Sequence, residues 1–137
     1  MAGHNDTMQI SAAGLRAQAA RMRIISENIA NADSTARTPG GDPYRRQIPV
    51  FEAELDRVTG VNTVRMTDAV PDMSSFKMEY NPGHPAADEQ GYVRTTNVQS
   101  LVEMMDMREA MRTYEANLNM IENHRRMMDR TLDLLRR

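Results

Sequence analysis

The chain contains no tryptophan and no cysteine, and only two phenylalanines and four tyrosines among its 137 residues. Large aromatics supply much of the buried area in globular cores. A chain this poor in them must bury surface through many modest aliphatic contacts. The lack of cysteine excludes disulfides and thiolate chemistry without identifying a compartment. Basic charge is not in excess either, since 17 Lys and Arg stand against 19 Asp and Glu for a formal charge of −2. That near-balance lacks the electrostatic footprint of a nucleic-acid binder, and no nucleic-acid partner is expected. No apolar run approaches the length of a membrane-spanning helix. The opening stretch Met1-Ala2-Gly3-His4-Asn5-Asp6 has no basic-then-apolar pattern, so no cleavable signal peptide is expected.

What is plentiful is methionine, with thirteen residues, and it falls at helical spacing. Met8, Leu15, Met22 and Ile29 recur every seven positions, with Ala12, Ala19, Ile25 and Ala32 between them. This narrow stripe predicts a helix from about Thr7 to Ala32, with Asp6 or Thr7 at its start and Asp6 with Gln9 as a capping box. Met104, Met111, Leu118, Arg125 and Leu132 form a second ladder; Met107, Tyr114, Ile121, Met128 and Leu135 form a third. These predict a long C-terminal helix, capped by Thr96 with Gln99 or by Ser100 with Glu103. Glu122 with Arg126, and Asp133 with Arg137, add favourable pairs four apart on its outer face. Neither helix can bury its stripe alone. The expected fold is mainly α, with long N- and C-terminal helices packed as a coiled coil.

Between them the texture changes. Ser34 to Pro43 carries the Pro39-Gly40-Gly41 break. Tyr44, Arg46, Ile48 and Val50 alternate, as do Phe76, Met78 and Tyr80, which predicts short strands. Pro49 and Pro71 confine them to edges, and Asn81 to Pro85 reads as a turn. The division is therefore residues 1–36 as an N-terminal helix, 37–96 as an extended linker with a small β-hairpin element, and 97–137 as a C-terminal helix. The exact structure of residues 52–76 is left open.

Convergent chemistry is sparse. His84 with Asp88 and Glu89 is the single oxygen-rich cluster, but its spacing matches no ligand motif, and it reads as a polar loop. Arg45-Arg46 could hold a phosphate or carboxylate, but the preferred reading is a solvent-exposed or subunit-contact pair. Arg125-Arg126 reads as a seam-edge pair facing acidic neighbours. No cofactor, metal, catalytic residue or small-molecule substrate is expected. The unusual feature is Ser26-Glu27-Asn28-Ile29-Ala30-Asn31, which places two mediocre helix formers three residues apart. On the helical wheel Asn28 lies on the flank of the stripe and Asn31 further round; either Asn31 simply sits near a fraying helix end, or both amides fix register across a helix boundary.

Those residues also carry a resemblance. Asn28-Ile29-Ala30-Asn31 at the end of an amphipathic helix resembles the N-terminal signature of the bacterial flagellar rod and hook axial protein superfamily. Glu103 to Ile121, with Tyr114-Glu115-Ala116-Asn117, resembles its C-terminal counterpart. Pro43 to Phe51 and Asn81 to Val98 are similar to the proximal-rod protein C family of the flagellar basal body, although Thr96 stands where that family often has proline.

The resemblance implies a non-enzymatic structural subunit of the proximal rod, the torque-transmitting shaft in the bacterial basal body. It implies export by the flagellar type III apparatus without a cleaved signal. The implied partners are copies of this chain, other rod subunits, the adaptor between membrane ring and rod, and the distal rod. The expected subunit contacts are Leu15, Met22, Asn28, Ile29 and Asn31 on the first helix. On the second they are Met104, Met111, Tyr114, Asn117, Leu118, Ile121 and Met128. Repeated contacts that do not close would yield a helical filament. The alternatives are a stand-alone soluble coiled-coil adaptor, which predicts a discrete oligomer, and a metal enzyme built on His84, Asp88 and Glu89.

Overall fold

A computed structural model describes residues 2–136, side chains 2 and 4 aside. Two helices bracket a strand-containing middle: α1 (Ala2–Ala30), β1 (Gln47–Ile48), β2 (Phe51–Leu55), β3 (Asn62–Met66), β4 (Val70–Pro71), β5 (Lys77–Tyr80), β6 (Tyr92–Thr95) and α2 (Ser100–Leu135). The fold is mainly α with a small antiparallel middle. None of the described helices is long and apolar enough to cross a membrane.

The helix ends differ from the predicted ones. α1 begins at Ala2, ahead of Asp6 and Thr7. The Thr7 hydroxyl donates to the Gly3 carbonyl one turn back, 2.8 Å away, so Thr7 lies inside the helix. Gln9 forms no box with Asp6; its Nε2 donates to Asp56 Oδ2 at 2.7 Å. At the other end the Asn31 amide is shared between the carbonyls of Glu27 and Asn28, both at 3.2 Å. This tightened turn ends the helix at Ala30. α2 starts at Ser100, and the first helical bond runs from the Glu103 amide to the Gln99 carbonyl at 3.1 Å. Neither expected box forms there. The Thr96 hydroxyl accepts from the Val98 amide, and the Glu103 carboxylate is engaged elsewhere. Arg137, the expected partner of Asp133, lies outside the described residues.

The chain divides into two compact units. The first contains the residues up to Met22, Phe51–Thr67, and Arg108 onwards. In it α1 and α2 run antiparallel: Gly14 lies against Asn117, and Arg21 meets Glu109 at 3.6 Å. Glycine makes the approach close: a methyl group on Gly14 would stand 2.9 Å from Asn117 Nδ2. Ser11, Ala13, Ala17 and Ala110 are buried as well. β2 and β3 form an antiparallel hairpin, from Phe51 opposite Met66 to Leu55 opposite Asn62. Asp56 closes its turn, accepting from the amides of Val58 and Thr59, and Gly60 supplies the positive φ of 73°.

The second unit contains Arg23–Val50 and Asp68–Met107. β1 pairs with β4, and β5 with β6. Pro71 sits in β4, which pairs only with β1, as its missing donor requires. The β5–β6 pair is widened by Thr35 bridging to Thr95 and by the Ala36 amide donating to the Arg94 carbonyl. Ala36, Ala86 and Val93 form a small core beneath it. His84 is fully occupied here: its Nδ1 accepts from the Ala86 amide at 3.0 Å, which leaves Nε2 to donate to the Thr35 hydroxyl at 3.2 Å.

Candidate subunit-contact surface

Along α2 the covered face is one residue out of step with the expected methionine ladder. Glu103 and Ala110 are fully buried, Asn117 and His124 are half-buried, and Met107, Tyr114 and Ile121 flank them half-buried. The ladder of Met104, Met111, Leu118 and Leu132 is exposed, and so is Met128. A seam made of small and polar residues leaves no mark in a hydrophobic pattern. The consequence is that α2 covers its polar and small residues and leaves its apolar ladder open. On α1, Leu15, Met22 and Ile29 are half-buried, while Ile24 and Ile25 are buried. Arg125 and Arg126 are exposed beside Glu122 and Asp129.

Asn28 is fully buried and uses its whole amide inside the chain. Its Nδ2 donates to the Gln47 carbonyl at 2.9 Å and to Glu103 Oε2 at 3.3 Å. Its Oδ1 accepts from the Tyr44 hydroxyl at 2.7 Å and from the Gln47 amide at 3.0 Å. The expectation that this amide faces a neighbouring subunit is corrected by that geometry, for no donor or acceptor remains to offer. It does bridge a helix boundary, but the boundary lies between α1 and α2 of one chain. Asn31 is half-buried and turns back to the Glu27 carbonyl at 2.8 Å. That bond satisfies a carbonyl at the helix end.

Arg46 completes the cluster, and the reading of Arg45-Arg46 as exposed or subunit-contact residues is corrected with it. The Arg46 guanidinium bonds Glu103 through Nε, meets Asp72 Oδ2 at 3.2 Å and lies 3.6 Å from Asp106. Burial works against its charge, but the bonds to Glu103 and Asp72 outweigh it and hold its pKa above the ordinary value. Burial, with Glu27 and Glu103 nearby, raises the Tyr44 phenol. The Arg46 amide donates to Asn97 Oδ1 at 2.8 Å, and Asn97 Nδ2 holds the Asp72 carbonyl and Ser74. Arg45 lies 4.1 Å over the Phe76 ring and donates to the carbonyls of Asp72 and Ser74. Tyr44, Gln47, Asn97 and Glu103 have no sequence signal of this role, because their partners lie 16 to 75 positions away.

Two family models match the chain: "Flagella basal body rod protein" over residues 8–37 and "Flagellar basal body rod FlgEFG protein C-terminal" over residues 89–134. A flagellar basal-body rod protein FlgC of Agrobacterium fabrum is 51% identical over 93% of this chain and 92% of its own length. FlgC of Aquifex aeolicus is 36% identical over 93% and 94%, and that of Escherichia coli O157:H7 is 35% identical over 91% and 92%. The chain belongs to the flagellar basal-body rod protein FlgC family. The two matched regions contain all twelve expected contact residues, Asn28 among them. They also contain Glu103, but Tyr44, Arg46 and Gln47 lie in the stretch between them.

Proposed function

We propose that the chain is a structural, non-catalytic subunit of the proximal rod of the bacterial flagellar basal body. Residues 1–36 and 97–137 act as its axial segments and 37–96 as a smaller outer element. The axial helices pack as a coiled coil with helices of neighbouring subunits, and the resulting shaft transmits torque. Its neighbours are copies of itself, other rod subunits, the adaptor at the membrane ring and the distal rod. It reaches them through the flagellar type III export apparatus without a cleaved signal.

The observation that carries this reading is the open ladder of Met104, Met111 and Leu118 on α2, in a chain of the rod family. Each such side chain gains roughly 1.5–3 kcal/mol when fully buried, before entropy costs. Leu15, Met22, Ile29, Tyr114 and Ile121, half-covered within the chain, contribute their remaining surface to the same contacts.

Leu118→Asp tests it, because Leu118 is exposed and its replacement is expected to leave the free chain folded, which circular dichroism of the purified variant checks. Cells making only this variant are expected to synthesise and export it, yet to yield basal bodies without distal structures and to be non-motile. A normal rod containing the variant would remove the ladder from the subunit interface. A purified wild-type chain that forms one discrete, stable oligomer at micromolar concentration would favour the adaptor reading instead.

A further inference from the structure

α2 carries its exposed apolar ladder twice. Met104, Met111 and Leu118 are followed sixteen positions on by Met120, Met127 and Leu134, in the same order and spacing. All six side chains are exposed, between 38% and 71%. Each ladder spans about 21 Å of helix, and the sixteen-residue offset turns the second by about 160° and moves it about 24 Å along the axis. The two stripes therefore lie on opposite flanks of one helix, with the α1-covered face between them on one side. The other side carries Arg112, Asn119 and Arg126, all exposed.

We propose that the two stripes are the two halves of one contact between copies of this chain, the first stripe of one copy packing on the second stripe of the next. This rests on the rod-subunit reading and names one of its interfaces. Two copies meet with parallel α2 helices, like residue against like residue: Met104 on Met120, Met111 on Met127 and Leu118 on Leu134. Charge supports that register. Beside the first stripe stands Glu115, and at the matching level beside the second stands Arg130, both exposed, so the flanks attract across the contact. The halves lie on opposite flanks, so each copy keeps one free half after binding. Such a heterologous contact propagates as an open, staggered row in place of a closed dimer. The covered face of every α2 then lies on the same side of the row.

The chain has no cysteine, so Glu115→Cys with Arg130→Cys introduces the only two thiols and leaves both stripes intact. Within one α2 these positions are about 22 Å apart, too far for a short bismaleimide to join them. Basal bodies are isolated from cells making the double variant alone and treated with that reagent. The expected result is a series of dimers, trimers and larger products, with neither single variant giving any. A dimer from Glu115→Cys alone would show a two-fold contact and overturn the proposal. A double variant present in basal bodies but monomeric after treatment would also overturn it and leave the rod reading standing. Absence of the wild-type chain from basal bodies overturns the rod reading and this inference together. Should only the double variant fail to incorporate, Arg108→Cys with Asn123→Cys probes the same register, and the same outcomes decide.

Discussion

Asparagine inside a helix costs roughly half a kcal/mol relative to alanine, and Asn28 offsets that cost with four hydrogen bonds in a fully buried position. Asn28→Ala would leave the Gln47 backbone groups and the Tyr44 hydroxyl without this partner. Each orphaned buried group costs about 1–3 kcal/mol, so urea unfolding should show a clear fall in midpoint at unchanged slope. A midpoint within error of wild type would mean that the cluster does not hold the linker to α1. Two carboxylates give a pH dependence. The Asp56 pKa lies below the ordinary value because the Val58 amide, Gln9 and the Thr59 amide bond its charged form. Asp72 is lowered mainly by Ser74, with Arg46 adding to it. With the folded pKa depressed, the unfolded chain takes up protons first on acidification. The contribution is thus present above the ordinary carboxylate range and lost as pH falls through the depressed values. NMR titration should place both carboxyl midpoints below 3.8, the ordinary value for Asp; midpoints at or above it would deny these bonds in solution. The oddity of the asparagine pair was legible in the sequence. Its partners were not, because Gln47 and Glu103 are brought to Asn28 only by the folded path of the chain.

At the scale of elements, the existence and type of both helices followed from periodicity, and the residue register of their shared seam did not. Contacts between them are Gly14 against Asn117, Arg21 with Glu109 and Asn28 with Glu103, and the other buried residues of the two helices include Ser11, Ala17 and Ala110. Close approach selects small residues, and a buried carboxylate is tolerated where Arg46 and Asn28 bond it; neither choice registers as hydrophobic. The hairpin of β2 and β3 went unassigned for a related reason, since every residue of β2 is exposed and no alternation of apolar and polar faces marks it. The distinction between covered and open ladders is testable within the free chain. Ile121→Asp places a carboxylate on the half-covered face and should lower the thermal midpoint appreciably. Leu118→Asp, three positions earlier but open, should stay within about 0.5 kcal/mol of wild type. Equal losses from the two would contradict the placement of the α1–α2 seam.

For the whole molecule, the groups that hold one chain together are largely not its exposed apolar ones. The buried polar cluster, the small-residue seam and the little core of Ala36, Ala86 and Val93 are satisfied within one chain. Most of the large apolar side chains of α2 are not, and a formal charge of −2 opposes close packing of copies only weakly. Every described residue from Arg125 to Arg136 is exposed, so the last turns of α2 rest mainly on helix propensity, and a thinly packed helix of that length is marginal in water. Amide exchange on the dilute monomer should therefore be uneven. Protection should be strongest near Asn28 and Glu103, whose side chains lock two helix ends together, and should fall steeply beyond Arg125. The proposed contact would cover Met127 and Leu134 in the rod, and there the same C-terminal amides should become slow. Strong protection to the end of α2 in a proven monomer would mean that the helix needs no partner, and that the open stripes serve something other than ordering on assembly.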